Sequence, residues 1–107
     1  GERSVLERIA RRYQTPRGAL DYDPDFGLDL TGELSAAFDP SRRASLESAI
    51  AREAEKDEAV ASALAVVRLD EARVAFVVTL LVRLASGPLR LVLRADAAAT
   101  VLLAPGV

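Results

Sequence analysis

The chain has 107 residues, with 14 basic and 16 acidic side chains, for a formal charge of -2 at pH 7. It contains neither cysteine nor histidine, which excludes disulfides, thiolate chemistry, cysteine-ligated zinc and any Ser-His-Asp or Cys-His hydrolase built from these residues. The near-balanced charge gives no electrostatic case for nucleic acid or an anionic membrane as partner of the whole surface.

The length fits a single domain, residues 1–107, able to bury roughly two-thirds of its chain surface without crosslinks or metal. Every basic residue except Lys56 is arginine, the cation suited to planar, bidentate pairs at interfaces; a GC-rich coding sequence produces the same bias. No signal peptide is expected, because Gly1-Glu2-Arg3-Ser4 lacks an apolar stretch, and the opening glycine points to trimming or an added scar. The longest mainly apolar run, Val74 to Val82, is far short of the roughly 20 residues of a membrane helix.

Ser4, with Glu7 three residues on, reads as a capping box. Val5, Leu6, Ile9, Ala10 and Tyr13 then fall at helical spacing, predicting a first helix from about Ser4 to Tyr13, with Glu7, Arg8, Arg11 and Arg12 on the opposite face. Thr15-Pro16-Arg17-Gly18 and Asp21-Tyr22-Asp23-Pro24-Asp25-Phe26-Gly27 follow. The two X-Pro steps hold Thr15 and Asp23 extended, and Gly18 and Gly27 permit positive φ. This is a shaped loop rather than a flexible linker.

Asp29 or Thr31 opens a second, short helix with Leu30, Leu34 and Phe38 as its apolar stripe, weakened by Gly32. Asp39-Pro40 reads as an N-cap with proline at the first helical position, predicting a third helix from Pro40 to about Asp57. Leu46, Ala49, Ile50 and Ala54 face inward on it. Arg42, Arg43, Glu47, Arg52, Glu53, Glu55 and Lys56 are expected mostly outward, as a solvated face.

From Ala59 the period changes. Ala63 to Leu69 and Arg73 to Leu84 read as strands joined by a turn at Asp70-Glu71-Ala72. Ser86-Gly87-Pro88 signals another turn, and Leu89 to Ala95 a third strand. Thr100 to Leu103 forms a fourth short strand, ended by Pro105-Gly106. The expected fold is therefore α+β: about three N-terminal helices followed by a three- to four-stranded antiparallel meander.

The second strand carries apolar residues on both faces. Val74, Phe76, Val78, Leu80, Val82 and Leu84 form one; Ala75, Val77, Thr79, Leu81 and Arg83 form the other. A sheet wet on one side should alternate, so the second face needs a cover. Either the chain's own loop and tail supply it, or the open edge or face of the meander takes a strand from a neighbour.

Asp21, Asp23 and Asp25 at alternate positions resemble the start of a calcium loop, but the sixth and twelfth positions are Phe26 and Gly32 where such a loop needs glycine and glutamate. The same carboxylates with Glu33 could supply an acid and base for glycoside cleavage, yet two tyrosines and no tryptophan offer few platforms for a sugar. Turn and helix capping is the plainer role for these aspartates. Arg17, displayed after Pro16, suits a bidentate carboxylate pair, with one of the three aspartates or with a partner.

The loop motif, Thr15-Pro16-Arg17-Gly18 with Tyr22-Asp23-Pro24-Asp25-Phe26-Gly27 and Leu28-Asp29-Leu30, resembles the small baseplate wedge protein of contractile phage tails. That family includes the baseplate assembly protein W group, lysozyme-like wedge subunits and the matching subunit of type VI secretion and other contractile injection systems. The resemblance spans nearly the whole chain and implies a structural, non-enzymatic sheath initiator without metal or cofactor. It implies a wedge-docking loop of Thr15, Pro16, Arg17, Gly18, Tyr22, Asp23, Pro24, Phe26 and Gly27, with Thr15 standing where the family often has glutamate. It further implies a sheath-pairing sheet including Val77, Leu81, Arg83, Leu89, Leu91 and Leu93. The implied partners are baseplate wedge proteins, the sheath protein and, as a further contact, the tail-tube protein, with no nucleic acid and no membrane. The implied location is a virion tail or injection-particle baseplate assembled in the bacterial cytoplasm. A peptidoglycan-cleaving, lysozyme-like hydrolase is the alternative from another class, and a free-standing ligand-binding domain is a third.

Overall fold

The computed structural model describes residues 2–35, 40–70, 75–96 and 99–105. In chain order the elements are helices α1 (Glu2–Arg12) and α2 (Leu30–Ser35), a 3-10 turn (Pro40–Arg42), helix α3 (Arg43–Glu55), and strands β1 (Val60–Asp70), β2 (Ala75–Leu84), β3 (Gly87–Ala95) and β4 (Thr100–Pro105). The α+β order read from the sequence holds. The strands form one antiparallel sheet in the order β1-β2-β3-β4.

The helices depart from expectation at their ends. α1 starts at Glu2, so Ser4 lies inside its first turn rather than capping it. Asp29 does open α2: its Oδ1 accepts the Gly32 N–H at 3.0 Å, satisfying one of the donors a helix start leaves free. Pro40 begins a 3-10 turn and the α-helical hydrogen bonding starts at Arg43; the expected cap Asp39 lies outside the described residues, as do Phe38 and Arg73.

Strand registers are regular over most of the sheet. Ala65 faces Leu80 and Val67 faces Val78 across β1 and β2; Leu80 faces Leu91 and Val78 faces Leu93 across β2 and β3. These rows form the inner face, and all six of these residues are buried. Leu6, Ile9, Tyr13, Leu30, Leu46 and Ile50 complete the core from the helical layer. The β2–β3 connection is tighter than Ser86-Gly87-Pro88 suggested. Leu84 already pairs with Gly87, so Ala85 and Ser86 form the turn, and Gly87, at φ 129°, opens β3.

The two edges of the sheet are treated differently. α3 runs beside β1, where Glu55 accepts the Ala63 N–H (3.1 Å) and Glu47 accepts the Val67 N–H (2.8 Å). The spacings match: eight helical residues rise about 12 Å and four strand residues about 13 Å. Backbone donors of an otherwise open edge are thereby taken up. Among the described residues β4 has no strand beyond it, and one hydrogen bond from outside the sheet reaches its backbone, from the Gln14 side-chain amide to the Thr100 carbonyl at 3.0 Å.

Candidate functional site

The loop between α1 and α2 is built from three successive turns. Ala19 N–H bonds Pro16 O, Asp23 N–H bonds Leu20 O, and Phe26 N–H bonds Asp23 O, at 3.1–3.2 Å. Gly18, third in its turn, has φ 87°, the left-handed backbone a type II turn needs there. Pro24 is second in its turn, where its fixed φ is favoured. The loop closes on itself at Gly27, at φ 107°, where a Cβ would collide with the Thr15 carbonyl. Next to it, Leu28 N–H bonds Arg12 O at 2.8 Å. The result is an Ω-type loop with its ends together.

One carboxylate holds this loop to the helices. Glu53 of α3, fully buried, accepts the Gly27 N–H and Arg12 Nη1 on Oε2, both at 2.9 Å. It accepts Arg17 Nη2 (3.1 Å) and Lys56 Nζ (3.0 Å) on Oε1. A carboxylate offers about four acceptor sites, and all are filled. The donors themselves reach further into the loop. Arg17 Nε bonds Gly27 O at 3.1 Å, Lys56 Nζ bonds Asp25 O at 2.7 Å, and the Arg12 guanidinium lies 4.5 Å from the Phe26 ring centroid, in cation–π range. Beside this cluster Arg8 grips Asp57 with two bonds of 2.9 and 3.0 Å, and the Tyr13 hydroxyl donates to Ile50 O at 2.6 Å.

The electrostatics follow from that wiring. Burial is the largest influence on Glu53 and pushes its pKa up, but the Gly27 N–H and the Lys56 and Arg12 bonds together outweigh it and hold the carboxyl below its ordinary value. Asp57 is held low chiefly by its Arg8 hydrogen bonds. Burial pushes the Tyr13 phenol well up. Glu53 is thus an ionised clamp with its lone pairs occupied, and it has no proton to give to a leaving group. Among the described residues no three acidic side chains converge as a metal site. Asp23 and Asp25 serve the loop through their carbonyls, while the side-chain capping falls to Asp29, Asp57 and Asp96.

Two expectations are corrected here. The sequence pattern puts Glu53 on the solvated face of the third helix and Arg12 opposite the apolar stripe of the first; both are buried. Arg17 pairs with Glu53, not with Asp21, Asp23 or Asp25, and its side chain remains half exposed. Thr15 caps the end of α1 with its hydroxyl on Arg11 O, at 2.8 Å. Of the other loop residues, Tyr22 stands out at 86% exposed, Pro16, Gly18 and Pro24 are exposed, and Asp23 and Phe26 are half-buried.

The proposed pairing residues fall into two groups. Leu91 and Leu93 are buried in the core and Leu89 packs against it. Their strand, β3, has neighbours on both sides, so its backbone is not free to take an added strand. Hydrogen bonding to an added strand therefore falls to an edge. Val77, Leu81 and Arg83 belong instead to the outward face, where Val77 is half-buried and Leu81 and Arg83 are exposed. Compared with known proteins, the chain matches no family model and no curated sequence.

Proposed function

We propose that this chain is a structural subunit of a contractile-tail or injection-system baseplate, which docks through its clamped loop and initiates the sheath by strand pairing at β4. The observation that carries this reading is the inequality of the sheet's edges. The β1 edge is sealed by Glu47 and Glu55, while β4 is the edge left for a neighbour's strand. The loop resemblance supplies the identity of the machine, and the exposed Tyr22 with the half-exposed Arg17 supply contact groups of the kinds enriched at interfaces. Wedge proteins, sheath protein and tail-tube protein are the partners, and no chemistry is assigned to the chain.

The test is sheath polymerisation on purified baseplates, scored by electron microscopy. Leu102→Pro removes a backbone donor from the open side of β4, the side to which the Thr100 carbonyl two residues earlier also points. It should leave circular dichroism near wild type and lose seeding. Normal seeding by a β4-disrupted chain would sink the strand-pairing role. A cell-wall turbidity assay on the unaltered protein checks the hydrolase alternative; clearing abolished by a carboxylate substitution would replace this proposal.

A further inference from the structure

The outward face of the sheet, away from the helices, is apolar in the middle and basic at its borders. Leu64, Leu81 and Arg90 form one row across β1, β2 and β3; Val66, Thr79 and Val92 the next; Arg68, Val77 and Arg94 the third. Arg83 stands one row beyond Leu81. Leu64, Val66 and Leu81 are 60%, 44% and 43% exposed, large apolar surface for a free-standing sheet face. Between β1, β2 and β3 a groove of about 520 Å³ has Leu64 and Leu81 in its lining, with Arg83 and Arg90.

Charge decides what can lie there. This face holds four of the chain's 14 basic residues and, among the described residues, one of its 16 acidic ones, Asp70. No carboxylate among the described residues forms an ion pair with Arg68, Arg83 or Arg94. A second copy laid face to face would set the same arginines against one another. A sheet face is covered by a packed layer rather than by one added strand, and the Arg83 row stands about 20 Å from the Arg94 row along the strands. A helix of about 13 residues has that length.

We propose that this face docks an amphipathic helix of a partner protein, with an apolar stripe on the central rows and carboxylates at the stripe's borders meeting Arg68, Arg83 and Arg94. The inference does not depend on the baseplate reading.

The test uses the full chain, isotopically labelled, and two synthetic helical peptides of about 18 residues. Both carry the same leucine stripe, bordered in one by glutamates and in the other by lysines. The glutamate peptide should shift the amide resonances of Val66, Thr79, Leu81 and Val92. Its affinity should fall about tenfold in the Arg83→Glu, Arg94→Glu double variant, and should fall again as salt rises from about 0.05 M to about 0.5 M. Should charge reversal unfold the chain, Arg83→Gln with Arg94→Gln, and the salt titration of the unaltered protein, carry the same comparison. No shifts with the glutamate peptide, equal binding by the lysine peptide, or unchanged affinity in the arginine variants would overturn the proposal. So would the same resonances moving only with phosphatidylglycerol vesicles, which would mark a membrane surface, or with protein concentration alone, which would mark self-association.

Discussion

Glu53→Ala tests the central physical claim, that one buried carboxylate fixes the loop. The substitution strands the Arg12 guanidinium, whose side chain is only 10% exposed, and leaves the buried Gly27 N–H without its acceptor. An uncompensated buried charge costs about 3–5 kcal/mol, and an orphaned buried amide about 1–3 kcal/mol. Arg17 and Lys56 are partly exposed and can turn to water at little cost. Because Arg12 and Gly27 share one carboxylate oxygen, their losses overlap, and about 3–5 kcal/mol in total is expected. That is a large share of the roughly 5–15 kcal/mol by which a domain is stable. Urea denaturation measures the loss, and hydrogen exchange at Gly27 and Leu28 locates it in the loop. Arg12→Met in the Glu53→Ala background should recover part of the loss, because the stranded charge is then gone. A Glu53→Ala chain within about 0.5 kcal/mol of wild type, with unchanged exchange at Gly27, would refute the clamp.

The pH dependence follows with its sign. Glu53 and Asp57 have folded pKa values below the ordinary 4.5 and 3.8, so the unfolded chain binds more protons in acid and stability should fall as pH drops through and below that range; Asp57→Asn should make the fall shallower. Tyr13 is shifted the other way, so stability should decline above about pH 10, where the unfolded chain ionises first. Tyr13→Phe should flatten that decline while costing about 1 kcal/mol at neutral pH. Gly27→Ala should destabilise by several times the roughly 1–2 kcal/mol expected for Gly18→Ala, since only the former meets the Thr15 carbonyl; thermal melts of the pair make the comparison. Glu47→Ala with Glu55→Ala should uncap the β1 edge and raise the apparent mass in light scattering, and a monomer at every concentration would count against edge sealing.

The strands were legible because period-two patterning sets which side meets the core: Val78, Leu80 and Val82 are buried and Leu81 is not, as alternation requires. The loop was legible as shape, through Pro24, Gly18 and Gly27. The clamp was not, for an instructive reason. Leu46, Ile50 and Glu53 recur at spacings of four and three on one stripe of α3, and Asp57 continues the spacing just past the helix end. By polarity alone Glu53 belongs outside; by period it belongs to the buried stripe. Arg12 shows the same conflict beside Ile9 and Tyr13, which are buried with it. A charge on an apolar helical stripe signals a buried partner of opposite sign, and two such stripes, one basic and one acidic, signalled each other. No sequence pattern shows that Gly27 N–H and Arg17 would complete the set, because their approach depends on how the loop turns.

Replacing a buried ion cluster by well-packed apolar residues often leaves stability unchanged or raises it, so stability alone does not account for Glu53. What the cluster supplies is position. Its donors come from α1, from both ends of the loop and from the C-cap of α3, and each oxygen accepts only along certain directions. An apolar plug would hold the loop down yet let it slide, whereas the carboxylate fixes Arg17 and Gly27 relative to α3. A loop set in place before encounter loses less conformational entropy on docking. The expectation is therefore that exchange protection at Gly27 and Leu28 in the free chain already equals that in any assembled particle. Protection that arises only on assembly would mean that the partner, and not Glu53, gives the loop its form.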